Sequence, residues 1–293
     1  MLRILVKISL LLFTFTTYAN NDELLKSIEK IENSTNARIG FFAINTANNT
    51  TLHYRADERF PMGCTSKVIG VAAVLHKSMH DENLLSKSIH YTKDDLTNWT
   101  PITEKNVNAG MSIQALCAAA ISYSDNTAMN LLVKQLGGLD EINGFARTLH
   151  NDSFRQDHNW PEEALSGGKD ISDSSTPRDM ARSVQRLVIG NHLNNYQKDL
   201  LIQWLKANTT GDQKIRAGVP KDWVVGDKTG TGSLYGTTND IAVIWPPHCQ
   251  PIVLAIYYTN KNKKAPIRND IVASVTKMVI QDLAKNDACL AKT

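Results

Sequence analysis

Phe60-Pro61-Met62-Gly63-Cys64-Thr65-Ser66-Lys67 leads from an extended approach straight into the apolar run Val68–Met79. That run reads as a helix, and Cys64 and Lys67, three residues apart, share one face of it. A thiol at a helix N-terminus is drawn toward the thiolate by the positive end of the dipole and by a nearby cation. Such a thiol is a plausible activated nucleophile. Read in isolation, the stretch fits better as a small packed cysteine with a lysine running along the same helix.

On either side of this stretch the pattern changes. Upstream, Asn21–Asn33 is an amphipathic helix with Leu24, Leu25, Ile28 and Ile31 on one side. Arg38–Asn45 reads as a strand, Asn48-Asn49 as a turn, and Thr51–Arg55 as the returning strand of a hairpin. Downstream, helical segments dominate to about Asn208: Thr65–Met79, Ile113–Tyr123, Thr127–Gln135, Glu141–Thr148, Arg178–Val188 and Asn195–Ala207. Thr176-Pro177 is a strong helix start, with proline at the first helical position. Between Asn151 and Ser175 lies a long aperiodic segment, and loops of that length are usually functional or disordered. Strands return at Val224–Gly232, Asn239–Trp245 and Pro251–Thr259, and Ile267–Ala284 closes the chain as a helix.

Helices and strands at both ends around a helical middle imply an α+β fold. An antiparallel sheet is flanked by the N- and C-terminal helices and carries a large all-α insertion. The expected division is residues 20–63 with 209–293 as the α/β part and 64–208 as the all-α part. Residues 1–19 read as a secretory signal: Arg3 and Lys7 start it, Ile8–Thr17 is apolar, and Thr17-Tyr18-Ala19 supplies small residues near a cleavage point. The chain of 293 residues as a whole, 42% hydrophobic and 21% charged, has ordinary globular composition. A net charge of +3 gives no nucleic-acid footprint, and the apolar run at the start is too short for a confident membrane span. The expected product is an exported, periplasmic chain, monomeric and without stable membrane association. The four cysteines, Cys64, Cys117, Cys249 and Cys289, match no metal spacing; Cys117 lies in an Ala-rich helix, and a Cys249–Cys289 bridge stays open. His76 and His80 are spaced for a metal but lack a third ligand, so neither metal nor cofactor is expected.

Three short motifs now stand in order: Cys64-Thr65-Ser66-Lys67, Ser124-Asp125-Asn126 and Lys228-Thr229-Gly230. Their combination resembles the signature of class A β-lactamases and penicillin-binding proteins, with cysteine in the serine's place. Nearly the whole mature chain shares the resemblance, including Ile215-Arg216-Ala217-Gly218 and the run Tyr235–Pro246. It implies an αβα sandwich and a β-lactam substrate, a penicillin or cephalosporin, hydrolysed through an acyl-enzyme to give antibiotic resistance. By the same resemblance Cys64 is the nucleophile, Lys67 handles its proton, and the backbone N–H groups of Cys64 and Thr231 form the oxyanion hole. Ser124 passes a proton to the leaving nitrogen and Lys228 tunes it. Asn126 binds the acylamide side chain, and Thr229, Gly230 and Thr231 line the place of the substrate carboxylate. Thr237 stands where a guanidinium is common, so Lys214 or Arg268 is expected to supply the cation. Trp99 matches an aromatic gatepost.

Two departures qualify the resemblance. Sulfur replaces oxygen at Cys64, which predicts a serine-to-cysteine variant with impaired turnover, since small misplacements at a reacting centre are costly. Counting forward from Ser124 puts Trp160 where the deacylating glutamate belongs, and an indole cannot accept a proton from water. Either Glu162 or Glu163 turns inward to serve, or the base is absent. A D,D-peptidase acting on peptidoglycan stems, or a protein that acylates and stays acylated, are the competing readings. Gly63 and Gly232 occupy the places of a cysteine pair found in some carbapenem-hydrolysing relatives, while Thr231 resembles those relatives, so the substrate spectrum stays open.

Overall fold

The computed structural model describes residues 22–162 and 167–293. The signal peptide expected over residues 1–19 lies outside them, and so does Glu163. Helix α1 (Asp22–Thr35) buries Leu24 and Ile28 and leads into β1 (Ala37–Asn45) and β2 (Thr51–Tyr54). Two-residue β3 (Phe60–Pro61) precedes α2 (Lys67–Ser78). The short strands β4 (Ser88–Ile89) and β5 (Met111–Ser112) pair before α3 (Ile113–Ser122), α4 (Asn126–Leu136) and α5 (Leu139–Thr148). Next come β6 (Ser174–Ser175), paired to β3, then α6 (Pro177–Val188), α7 (Asn195–Lys206) and α8 (Ile215–Gly218). The chain ends with β7 (Val224–Thr231), β8 (Thr238–Trp245), β9 (Ile252–Asn260) and α9 (Asn269–Ala284).

The main sheet runs β2-β1-β9-β8-β7, antiparallel throughout. Its central strands are buried on both faces, which explains why β1 and β9 read as continuous apolar runs with little alternation. One face packs on α1 and α9 through Ile28, Ile39, Val275 and Val279. The other face meets α6 and the helical layer, where α2 is buried from Lys67 to Leu75. A helix apolar nearly all round belongs at the centre of such a layer. Cys249 and Cys289 form a disulfide with a Cα–Cα distance of 5.9 Å, tying the loop after β8 to the C-terminus. Among the described residues no helix is long and apolar enough to cross a membrane.

Helices α4, α5 and α6 start one or two residues before the sequence reading, at Asn126, Leu139 and Pro177, and two further starts differ for a visible local reason. The helix expected from Thr65 begins as a separate 3-10 turn, Gly63–Ser66, and becomes α-helical only at Lys67. The cause is local: Gly63 is left-handed (φ +51°), and the Thr65 and Ser66 hydroxyls donate back to Met62 O and Gly63 O, at 2.8 and 3.0 Å. The closing helix starts at Asn269, not Ile267, because Arg268 keeps non-helical backbone (φ −128°, ψ 68°) and donates its N–H to Thr238 Oγ1.

Candidate active site

Edge strand β7 ends against the turn that carries Cys64. Gly63 and Gly230 permit this approach: a Cβ on Gly63 would lie 3.2 Å from Thr231 N, and one on Gly230 would lie 2.4 Å from Met62 O. Asn239 of β8 clamps the same turn, donating to Pro61 O at 2.7 Å and Met62 O at 3.0 Å. It also accepts from Tyr258 N on β9 at 3.2 Å. Cys64 is therefore half-buried beside the N-terminal face of α2, with the β7 backbone close by. Cys117 is buried, and desolvation pushes its thiol well above the ordinary range.

Lys67 is fully buried and its ammonium donates to Ser124 O at 2.7 Å and Asn126 Oδ1 at 2.5 Å. A buried cation is tolerated only with such partners. Ser124 holds the left-handed conformation (φ +56°), so its carbonyl meets Lys67 while its Oγ accepts from Lys228 Nζ at 2.9 Å. Asp125 fixes the junction. It caps α4 by accepting from Ala128 N at 2.8 Å, and it accepts from Ile102 N and Thr103 N at 3.1 and 2.9 Å. Lys228, on β7, is fully buried, and desolvation lowers its pKa to about 8. A Cys64 thiolate and Asp227 oppose that shift, while Lys67 and Lys214 reinforce it.

Lys214 is the third buried lysine. It donates to Asn239 O at 3.1 Å, and to Gly230 O and Thr231 Oγ1 at 3.3 Å each. Burial pulls its pKa down against the carboxylates of Asp240 and Asp227. Thr229 Oγ1 lies 2.6 Å from Thr210 Oγ1, so the Lys-Thr-Gly strand is backed by a hydroxyl that the motifs did not mark. The two expected cations thus differ. Lys214 stands at the end of β7, whereas the Arg268 guanidinium is held by Asp270 at 2.8 and 2.7 Å on the surface. Thr237 is buried and donates to Leu234 O. Trp99 is 63% exposed; its indole donates to Tyr123 O at 2.9 Å and its carbonyl accepts from Asn126 N at 3.0 Å.

On the other side of Lys67 the loop delivers Trp160, which is 1% exposed, with its ring centre 5.8 Å from Lys67 Nζ. Asn130 pins it by both amide atoms, donating to Trp160 O at 2.6 Å and accepting from Trp160 N at 3.1 Å. The buried indole Nε1 has no hydrogen-bond partner among the described residues. Glu162 is exposed, and its carboxylate is near enough to His158 to help raise that imidazole's pKa. The neck of the loop closes where His158 Nδ1 meets Asp173 Oδ2 at 2.7 Å, while Asp173 Oδ1 accepts from Asp157 N and His158 N. Asn130 carried a readable signal, four residues beyond Asn126 on one helix face. The His158–Asp173 pair had none. His76 also gains an unexpected neighbour, His192, stacked at 5.6 Å; among the described residues no group of three metal-ligating side chains forms.

This geometry provides a half-buried thiol, amide N–H groups at a turn and an edge strand, and a row of proton-handling groups. Comparison with known proteins agrees. A family model described as the beta-lactamase enzyme family matches residues 23–283. Beta-lactamase CTX-M-97 of Escherichia coli is 47% identical over 279 residues, covering 95% of this chain and 96% of that protein. Beta-lactamase OXY-2 of Klebsiella oxytoca is 44% identical over 276 residues, covering 94% and 95%. The crystal structure of a beta-lactamase from Desulfarculus baarsii matches with a TM-score of 0.88 at 43% identity, covering 90% of this chain and 98% of that one.

Proposed function

The chain belongs to the β-lactamase enzyme family as a class A β-lactam hydrolase, and from that premise we propose that Cys64 is its nucleophile and that its turnover is limited by release of the acyl group. The sulfur attacks the ring carbonyl, and the N–H groups of Cys64 and Thr231 receive the oxyanion. Lys67 relays the thiol proton: its ammonium passes a proton onward to Ser124 and is recharged by the thiol. Ser124, bonded to Lys228, hands a proton to the departing ring nitrogen. Asn126 meets the acylamide of a penicillin or cephalosporin. Thr229, Gly230 and Thr231, with Lys214 behind them, receive the substrate carboxylate, and Trp99 borders the mouth. We place the mature protein in the periplasm as a monomer, conferring antibiotic resistance to the extent that it turns over.

The observation that carries the slow step is Trp160. Its buried ring faces Lys67 where a carboxylate would activate water, and an indole is a donor only. Glu162, exposed, offers no replacement at that place. General-base assistance contributes about 10²–10⁴-fold, so its loss leaves the thioester long-lived. Intact-protein mass spectrometry after a pulse of penicillin tests this. We expect a Cys64 adduct that persists after free antibiotic is removed. Cys64→Ser should gain in β-lactam turnover, and Cys64→Ser with Trp160→Glu should gain more. Rapid return of the parent chain to its free mass, or no gain in either variant, refutes the reading.

A further inference from the structure

At the end of α2 opposite Cys64, the helix meets the end of α5 and the connection between α6 and α7. Three of the chain's eight histidines gather there. The His76 and His192 rings stack with their centres 5.6 Å apart, and His80 stands edge-on to His76 at 5.8 Å. Phe145 of α5 packs on both members of the stack, 5.4 Å from His76 and 5.6 Å from His192. His76 and His192 are half-buried, whereas His80 is exposed beyond the last turn of α2. Burial lowers the pKa of both stacked rings. His80 adds to the effect at His76, and His76, Arg186 and His150 add to it at His192. Both rings are therefore neutral at neutral pH, and each keeps one nitrogen lone pair.

The hydrogen bonding decides which nitrogen of His192 that is. The Thr148 hydroxyl donates to Phe145 O at 2.7 Å, which uses its one proton. Toward His192 Nε2, 3.1 Å away, the same oxygen can then only accept. Nε2 carries the hydrogen and Nδ1 the lone pair. A bond of this kind at the far nitrogen fixes the tautomer and orientation of a ligating imidazole.

Paired neutral imidazoles suit nickel, copper or zinc, while calcium and magnesium take oxygen ligands. With nitrogen–metal bonds of about 2.0–2.1 Å, each ring centre stands about 3.2 Å from the ion, so two ring centres come about 5–6 Å apart. The observed 5.6 Å falls in that interval. The last torsion of histidine is broad, so His76 can turn its ring to the ion at small cost while Thr148 and Phe145 hold His192. We propose that His76 and His192 form a two-imidazole site for a borderline divalent transition-metal ion, with His192 ligating through Nδ1, Thr148 setting its tautomer and water completing the coordination. The ion ties the end of the helix that begins at Lys67 to the connection between α6 and α7. The site is separate from the β-lactam cleft and does not depend on how that cleft works.

The test titrates nickel(II) into the untagged chain carrying Cys64→Ala, which removes the half-buried thiol as a competing ligand. Calorimetry reads binding, and the unfolding temperature reads its consequence. We expect one site and a rise in Tm of about 5 °C at about a hundredfold excess over Kd, because an ion that binds the folded state stabilises it. His76→Gln and His192→Gln should each weaken binding about tenfold or more, and Thr148→Val, which removes only the acceptor for Nε2, about tenfold. His80→Gln and His158→Gln should leave Kd unchanged. Nitrogen NMR of the metal-free parent chain, which needs no substitution at the pair, should find the His192 hydrogen on Nε2. A hydrogen on Nδ1 instead, no saturable nickel binding, or a Kd unmoved by His192→Gln overturns the proposal. So does a loss on His80→Gln equal to that on His192→Gln, which would put the ion on the two histidines of one helix end.

Discussion

The two ends of the row around Lys67 are built from different material. The Lys228 end stands on regular elements: β7 supplies Lys228 and Thr231, α2 supplies Lys67, and Ser124 sits in the α3–α4 junction that Asp125 ties down. The Trp160 end stands on a loop, secured by Asn130 at the tryptophan and by His158–Asp173 at the neck. Sites on strands and helices hold reacting groups to tighter tolerance than sites on loops. The groups proposed to open the ring are on the part that cannot shift without disturbing the sheet. The proposed release step depends on the loop end, the part that tolerates change, whereas the other departure from the resembled pattern, the sulfur of Cys64, lies at the rigid end.

The most severe break in this comparison is at Lys67. Lys67→Met keeps much of the volume and removes the ammonium that Ser124 O and Asn126 Oδ1 receive. We expect the rate of adduct formation with penicillin to fall by about 10²–10⁴-fold. Time-resolved mass spectrometry of the Cys64 adduct measures it. Adduct formation at the parent rate would mean that the rigid end is not what opens the ring.

The sequence made the rigid end legible and the loop end only partly so. Cys64, Ser124 and Lys228 lie in short motifs whose spacing within each element is fixed by helix or strand geometry, so reading residues there amounts to reading positions. Trp160 was singled out by counting forward from Ser124 without gaps, and the structure brings its ring to Lys67. The Asp173 partner of His158 did not emerge, since fifteen residues of aperiodic chain separate them and no spacing rule links two ends of a loop. Asn239 was hidden for a related reason: inside a buried strand it reads as a polar interruption, yet it clamps Pro61 and Met62 from far along the chain. Lys214 was legible as a cation but not as a buried one, because burial is decided by the approach of β7 and β8.

A second prediction bears on the junction that keeps Ser124 between two lysines. Asp125 is fully buried and accepts from the amides of Ala128, Ile102 and Thr103. Asp125→Ala strands those donors and should cost about 3 kcal/mol. Urea unfolding should show this as a lower midpoint with an unchanged slope. A stability loss under about 0.5 kcal/mol, the size expected of an ordinary surface substitution, would show that the junction is held by something else.

The smallest expected effect is at the neck of the loop, and it separates the loop's two fastenings. The Asp173 carboxylate, bonded to the ring, holds His158 above its ordinary pKa; Asp157 and Glu162 add to this, and desolvation opposes it. Arg155, bound to Asp157, and Asp170, whose carboxyl is pulled down first by the Ser172 amide, complete the charged surroundings. Because the folded pKa is raised, the pair's contribution is complete below the imidazole's unfolded value and is lost as pH rises through the folded one. The His158 side chain is 48% exposed, so the contribution is no more than about 1 kcal/mol. Hydrogen exchange of the amides of residues 157 and 158, both donated to Asp173, should show weaker protection above neutral pH beyond the intrinsic base-catalysed rise. His158→Arg should remove that excess. The Asn130 amide does not titrate, so Trp160 should keep its protection, and the penicillin adduct its lifetime, through the pH interval in which the neck loosens. Protection lost together at neck and tryptophan would mean that the two fastenings form one cooperative unit, and the release step would then inherit the histidine's pH dependence.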